Sequence, residues 1–408
     1  MYQLLQGMRV VEGAAFIAGP SCGLHLAQMG AEVIRFDNIG GGPDFGRWPL
    51  AANGASLYWE GLNKGKKSVA LDMSSPQGRE LAVALATAPG EDGGLFLTNF
   101  PVDGFLSYPA LRERREDLIC LRVMGWADGT PAVDYTINAA TGLPMMTGHA
   151  DDPRPVNHVL PAWDLLTGAY AAFALLAAER SRRMTGRGQE IRVPLSDIAG
   201  SSLSHLGQVA EVMTSGHDRP RMGNALYGAF ARDFETRDGR VIVVAITSRQ
   251  WRELVRVLAL EEPVAALESE LGVSFSTDEG MRFIHRERLF PLFEPAFARS
   301  DIATLKPLFN ARGVCWSPYL TLSEALDEEG GMFRGNPIFE EIRHPSGLTY
   351  PASGPAATLS GAERDRLVPA PRLGEHTDEI LSRLLGMGDL EIARLHDKCV
   401  IAGPRDRD

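Results

Sequence analysis

The sequence predicts an α/β protein with a large domain built on a parallel, helix-covered sheet and a second, smaller α+β domain. Three observations carry this. Residues 1–124 alternate short β-branched apolar runs with amphipathic stretches, the rhythm of βαβ units. Near Asp218 the pattern changes to a hairpin followed by helices. The chain has 408 residues, long enough for two cores.

The elements follow in order. Arg9–Gly13, Glu32–Asp37, Val69–Asp72, Gly94–Asn99 and Leu118–Met124 read as strands, and Pro20–Met29 and Gln77–Ala86 as helices, with Pro20 suited to a first turn. Pro161–Arg183 is the strongest helix, because Leu165, Leu166, Tyr170, Phe173, Leu176 and Ala177 recur at helical spacing. Its basic tail favours the C-terminal end of the dipole and Gly186 stops it. Gln189–Pro194 is a further strand and Asp197–Thr214 a further helix. Phe230–Thr236 and Val241–Ile246 flank Asp238-Gly239, a hairpin signal, and helices follow at Arg249–Ala259 and Asp278–Arg288, so the small domain is placed at 225–325. Gly330–Pro371 is rich in Gly and Pro, and the chain closes on helices at Thr377–Leu385 and Leu390–His396.

A net charge of −11 argues against a nucleic-acid partner. No uninterrupted apolar run is long enough for a membrane span, and Met1–Gln6 lacks the basic start of a signal peptide. Cys22, Cys120, Cys315 and Cys399 are scattered without metal-ligand spacing. A cytoplasmic protein with reduced thiols, no metal and no bound cofactor is expected.

Asp164 stands at the start of the long helix, in Pro161-Ala-Trp-Asp164. Unpaired N–H groups and the helix dipole favour an anion there, so an ionised, oriented carboxylate nucleophile is one reading and a simple helix cap the other. Lys64, Lys66 and Lys67 flank Gly65 before a strand, which suits a phosphate or a solvated loop. Gly40-Gly41-Gly42 lacks the helix that a nucleotide loop needs, and leaves Arg47 and Trp48 as candidates for gripping an anionic or planar group. Asn157 and His158 lie on the segment entering the long helix, where His158 could meet a substrate carboxylate or serve structurally.

Taken in order, several blocks resemble the class III (formyl-CoA-transferase-like) CoA transferases, the family that also holds the α-methylacyl-CoA racemases. They are Leu5-Gln-Gly-Met-Arg-Val-Val-Glu12, Ala18-Gly-Pro20 leading to Leu26–Arg35, Asn63-Lys-Gly-Lys-Lys-Ser-Val-Ala-Leu-Asp72, Gly186-Arg-Gly-Gln189, Arg221-Met-Gly-Asn224 and Pro371-Arg-Leu-Gly-Glu-His-Thr377. The resemblance implies a Rossmann-like large domain made from 1–215 and 330–408, and an interlocked, ring-like homodimer. It implies Asp164 as nucleophile and Ala18, Arg35, Lys64, Lys67 and Leu71 as CoA-binding residues, with coenzyme A entering only as part of the substrate.

Two departures sharpen it. Pro101 stands where family members usually carry an arginine. Val133, in Ala132-Val133-Asp134-Tyr135, stands where the racemase branch carries a histidine base, and valine cannot abstract a proton. Gly40–Trp48, Val133–Asn138, Val156–Asp164 and Asn224–Gly228 resemble the branch that moves CoA between the C1 and C4 carboxyls of mesaconyl-CoA. That branch implies an aspartyl anhydride and an aspartyl-CoA thioester on Asp164, with Arg47, Asn157, His158 and Tyr227 as substrate-binding residues. An intermolecular transferase for a short dicarboxylic acid is the alternative, and a silent acyl-CoA-binding paralogue a third reading.

Overall fold

The computed structural model describes residues 1–404. The chain forms two compact units: Met1–Thr141, His158–Gly216 and Gly335 onward make the first, and Gly142–Asn157 with His217–Arg334 the second. The small domain is thus larger than the expected 225–325 and takes in a segment from before the long helix. Arg221 explains that segment, donating from Nε to the Met145 carbonyl at 2.8 Å and from Nη1 to the Asp152 carbonyl at 2.6 Å.

The first unit begins with β1 (Arg9–Gly13), β2 (Glu32–Asn38), β3 (Lys67–Leu71), β4 (Leu95–Thr98), β5 (Ile119–Met124) and β6 (Gln189–Pro194). In the second unit β7 (Phe230–Glu235), β8 (Arg240–Ala245) and β9 (Cys315–Pro318) form an antiparallel sheet in that order. Its core is aromatic: Phe230, Phe234, Trp251, Phe293 and Phe297 are buried together, with Phe234 and Phe297 stacked at 4.4 Å. The chain then returns to the first unit with the hairpin β10 (Phe339–Arg343) and β11 (Thr349–Ser353), and ends on the short β12 (Ile401–Ala402).

The large sheet has the order β12-β3-β2-β1-β4-β5-β6, all parallel except β12 against β3. β4 and β5 are buried along their whole length, which is why they read as unbroken apolar runs. Thr377 ties the C-terminal return to this sheet: its Oγ1 accepts from the Ala70 N–H at 3.1 Å and donates to the Ala402 carbonyl at 2.8 Å. Strand order runs outward from β1 in one direction and from β4 in the other. The crevice at the C-terminal ends of β1 and β4 is therefore the topological switch point, the place where open α/β sheets bind ligands.

The Ala162–Thr185 helix packs on the Ala18–Gln28 helix through small residues. A Cβ at Gly168 would lie 1.9 Å from Ser21 Oγ and 2.8 Å from the Ala18 carbonyl, so only glycine allows this approach. Here the apolar stripe read from the sequence is corrected. Leu166, Tyr170 and Phe173 face outward, with Phe173 65% exposed, while Gly168, Ala171, Ala172, Leu175 and Ala178 form the buried face. The expected helix at Asp197–Thr214 is two, Leu195–His205 and Gln208–Ser215, parted by Gly207 at φ 75°. The expected Asp278–Arg288 helix likewise breaks at His285. No described helix is long and apolar enough to cross a membrane, and all four cysteines are free.

Candidate active site

Asp164 lies in the first turn of the Ala162–Thr185 helix, but it does not cap it. Asp134, at the start of the Asp134–Ala140 helix, does so from outside: its Oδ2 accepts from the Trp163 N–H at 2.7 Å and the Asp164 N–H at 3.1 Å. The other oxygen, Oδ1, is 2.6 Å from His158 Nε2. The Trp163 indole N–H donates to Asn138 Oδ1 at 3.0 Å, and the Tyr135 hydroxyl donates to the Val159 carbonyl at 3.0 Å. The entry to the helix is therefore held from several sides, while the Asp164 carboxylate itself accepts no hydrogen bond among the described residues.

That arrangement overturns the expectation of an ordinary ionised carboxylate. The free helix N–H groups that would have favoured the anion are taken by Asp134. Burial first, and then the Asp134 charge, push the Asp164 carboxyl up to about 7, with Arg47 opposing. A carboxylate of that basicity is a stronger nucleophile when ionised than an exposed one, and it is not spent on any protein donor.

Asp164 opens into a cavity of about 540 Å³ at the switch point. Ala15 and Phe16 after β1, Asn99 and Pro101 after β4, Arg122 from β5, and Val133 are among its walls. Phe16 has φ 71°, a left-handed backbone that a bulky residue adopts only when its surroundings hold it. Asn99 supplies part of that hold, accepting from the Ala15 N–H at 3.1 Å and donating to the Ala15 carbonyl at 2.8 Å. Val133 lines this cavity, so at that position the wall presents only methyl groups.

Two contributors escaped the sequence reading. Arg122 is buried and donates to the carbonyls of Phe100, Pro101 and Leu106 at 2.6, 2.8 and 3.1 Å, fixing the loop after β4. An arginine in the middle of a strand gives no sequence signal for such a task. Tyr58 has a buried hydroxyl without a hydrogen-bond partner among the described residues, beside Arg47 and within the field of Asp164.

The expected CoA-binding residues divide. Ala18 lines the Asp164 cavity. Arg35 does not offer its side chain to a ligand: it is buried and committed to Asp37, Asp44 and Asn63, with Nε and Nη2 each 2.8 Å from Asp37. Leu71 is fully buried on β3 among core residues, so its side chain is closed off as well. Lys67 pairs with Glu379 and Glu32. Lys64 is buried with no ion pair among the described residues, and burial lowers its ammonium to about 8. Lys66, the middle lysine, is a core residue, with Nζ 2.9 Å from both oxygens of Glu12. Of the run, Lys64 and Lys66 are buried and Lys67 is partly exposed.

Of the expected substrate-binding residues, Arg47 is exposed, its guanidinium 5.5 Å from the ring centres of both Phe16 and Tyr58. His158 places Nε2 2.6 Å from Asp134 Oδ1, so that ring nitrogen is engaged within the protein. Asn157 and Tyr227 belong to the second unit, where the Tyr227 ring packs on Phe283 at 4.9 Å and beneath the Arg219 guanidinium at 4.3 Å. Among the described residues no group of three or more His, Cys, Asp or Glu is arranged to hold a metal ion.

Asp164 thus presents, at the switch point of a mixed α/β fold, a carboxylate without a donor among the described residues, and known proteins give the class. The chain belongs to CoA-transferase family III, whose family model matches residues 5–377. It is 48% identical over 406 residues to the 2-methylfumaryl-CoA isomerase of Chloroflexus aurantiacus, covering 99% of each chain. It is 27% identical to the human succinyl-CoA:glutarate CoA-transferase, over 96% of this chain and 88% of that one. Among solved structures it resembles a CaiB/BaiF family protein from Brucella suis, with a TM-score of 0.75, 25% identity, and coverage of 94% of this chain and 100% of that one.

Proposed function

We propose that this chain transfers CoA within one molecule, between the C1 and C4 carboxyls of mesaconyl-CoA, converting 2-methylfumaryl-CoA to 3-methylfumaryl-CoA. The observation that carries this reading is the Asp164 carboxylate, unengaged by protein donors in a cavity at the switch point, in a chain 48% identical to an isomerase of that name. In the proposed route ionised Asp164 attacks the C1 thioester carbonyl, and CoA thiolate leaves to give a mixed anhydride. The thiolate then attacks the aspartyl carbonyl, releasing the dicarboxylate and leaving CoA as a thioester on Asp164. The C4 carboxylate attacks that thioester, forming a second anhydride and freeing the thiolate. Thiolate attack on the C4 carbonyl completes the product and restores the Asp164 carboxylate. Each step keeps an activated acyl group, so the route needs no ATP, metal or other cofactor.

Arg47 is the proposed grip on a substrate carboxylate, since its guanidinium is exposed between two aromatic rings beside the nucleophile. Retention of the free dicarboxylate between steps makes the transfer intramolecular. We also assign to this reading cytoplasmic action as an interlocked homodimer. The outward stripe of Leu166, Tyr170 and Phe173 favours a second copy, because exposed aromatic stripes of this kind mark contact faces.

The test is to incubate the protein with mesaconyl-CoA and an excess of isotopically labelled free mesaconate, then read both regioisomers by mass spectrometry. Regioisomer exchange without label in the ester is the expected result. Label entering the ester would replace this reading with an intermolecular transferase for a short dicarboxylic acid.

A further inference from the structure

We propose that His158 is a positioning residue that acts on Asp164 through Asp134, engaging one Asp134 oxygen so that the other stays on the turn carrying the nucleophile. The inference rests on Asp164 being that nucleophile. Its geometry is a short chain of contacts: His158 Nε2 to Asp134 Oδ1 at 2.6 Å, then Asp134 Oδ2 to the Trp163 and Asp164 amides at 2.7 and 3.1 Å. The His158 ring is itself held edge-on by Tyr135, with ring centres 5.7 Å apart.

The carboxylate so held does two opposed things. It satisfies the N–H groups of the helix start, which fixes where Asp164 points. It also places a negative charge beside Asp164, which resists ionisation of the nucleophile. A donor on the far oxygen draws Asp134 charge toward itself and eases that conflict without giving up the cap. The other groups facing this turn are Arg47, which favours the Asp164 anion, and Tyr58 from the Leu57–Leu62 helix, whose hydroxyl burial keeps neutral. The Ala18–Gln28 helix presents uncharged Ala18 and Ser21 near Gly168, and the Leu195–His205 helix brings Leu195 to the cavity. Among the described residues His158 is therefore the one cationisable side chain bonded to the capping carboxylate.

The test compares pH–rate profiles of CoA transfer for the wild type, H158A, H158Q and the D134N/H158A pair. In H158A the acid limb should move up by about one pH unit, giving roughly a tenfold loss below the limb and little loss above it. H158Q, which keeps a side-chain donor, should recover part of the shift. In the D134N background the H158A shift should vanish, because the charge that His158 moderates is gone. A loss in H158A that is the same at every pH, or a shift that persists in D134N, would overturn the proposal. A substrate-free readout separates this from failure of the nucleophile assignment: carbon-13 titration of labelled aspartates, with Asp164 identified by D164N, should show the same upward move in H158A. No move there refutes the role of His158 even if the wild type transfers CoA, and a move there sustains it even if it does not.

Discussion

Two polar clusters lie within the first unit, and they are built to opposite rules. Around Arg35 and Lys66, the carboxylates of Glu12, Asp37 and Asp44 are buried and nearly every oxygen meets a donor. Around Asp164, a cap, a histidine and an arginine surround a carboxylate that meets none among the described residues. Both contain acids and bases close together in an apolar setting. The difference is where the donors go. In the first cluster they are spent on the carboxylates, and the result is a fixed framework along β1, β2 and the start of β3. In the second, the helix amides are spent on Asp134 and Arg47 stays exposed, and the result is a carboxylate whose protonation is poised near neutrality.

The comparison breaks most sharply at Asp164 itself. D164A should lower CoA transfer by on the order of 10⁴-fold or more, which is ~5 kcal/mol of transition-state stabilisation, read by regioisomer exchange on folded protein. A variant that retained a tenth of the activity would remove Asp164 from the mechanism. The matching break in the framework is E12Q, which leaves the Lys66 ammonium buried without its counter-charge. It should cost ~3–5 kcal/mol in denaturant unfolding while transfer per folded molecule stays close to wild type.

A smaller effect has the opposite sign. The folded Asp164 carboxyl titrates at about 7, above its ordinary value of 3.8, so the native state holds a proton that the unfolded chain releases. Its contribution to stability is present at pH 4 and is lost as pH rises toward 7. D164N should therefore unfold at higher denaturant than wild type at pH 8 and nearly together with it at pH 4. The full shift corresponds to ~4 kcal/mol, and partial solvent access to this side chain reduces the expected gain to roughly 1–2 kcal/mol. Transfer activity should move the other way, rising as pH passes through about 7 and Asp164 ionises.

The smallest effect sharpens the comparison at its edge. Lys67 forms half-exposed pairs with Glu379 and Glu32 and belongs to neither cluster. K67A should change stability by ~0–1 kcal/mol and leave the KM for acyl-CoA within about twofold. A larger rise in KM would return Lys67 to the phosphate-binding role that its neighbourhood in the sequence suggested.

Much of the fold was legible because it depends on local pattern. β1, β6 and the ends of the Ala162–Thr185 helix fall within two residues of where alternation, apolar runs and Gly186 place them. Boundaries slipped where a single residue outweighs the pattern, as at Gly207 and His285. The place of Asp164 in a helix's first turn was legible too, since helix-end chemistry is a local feature. The CoA-binding candidates were less so. Arg35 and Leu71 lie in strands whose burial is fixed only when distant strands pair beside them.

What the sequence by itself determined is the set of elements and the place of Asp164 at a helix start, because hydrophobic period, turn chemistry and helix-end preference act over a few residues. Only the tertiary structure decided which charges are framework and which are free. The Lys64–Lys67 run suits a phosphate or a solvated loop, yet Lys64 is buried without an ion pair among the described residues, Lys66 meets a core carboxylate and Lys67 forms a surface pair. Asp164 reads as an ordinary anion, yet Asp134, thirty residues earlier in the chain, takes the helix amides and leaves it near neutrality. Desolvation and Coulomb fields depend on what surrounds a group in space, and that is set by which segments the fold brings together rather than by which residues are adjacent in the chain.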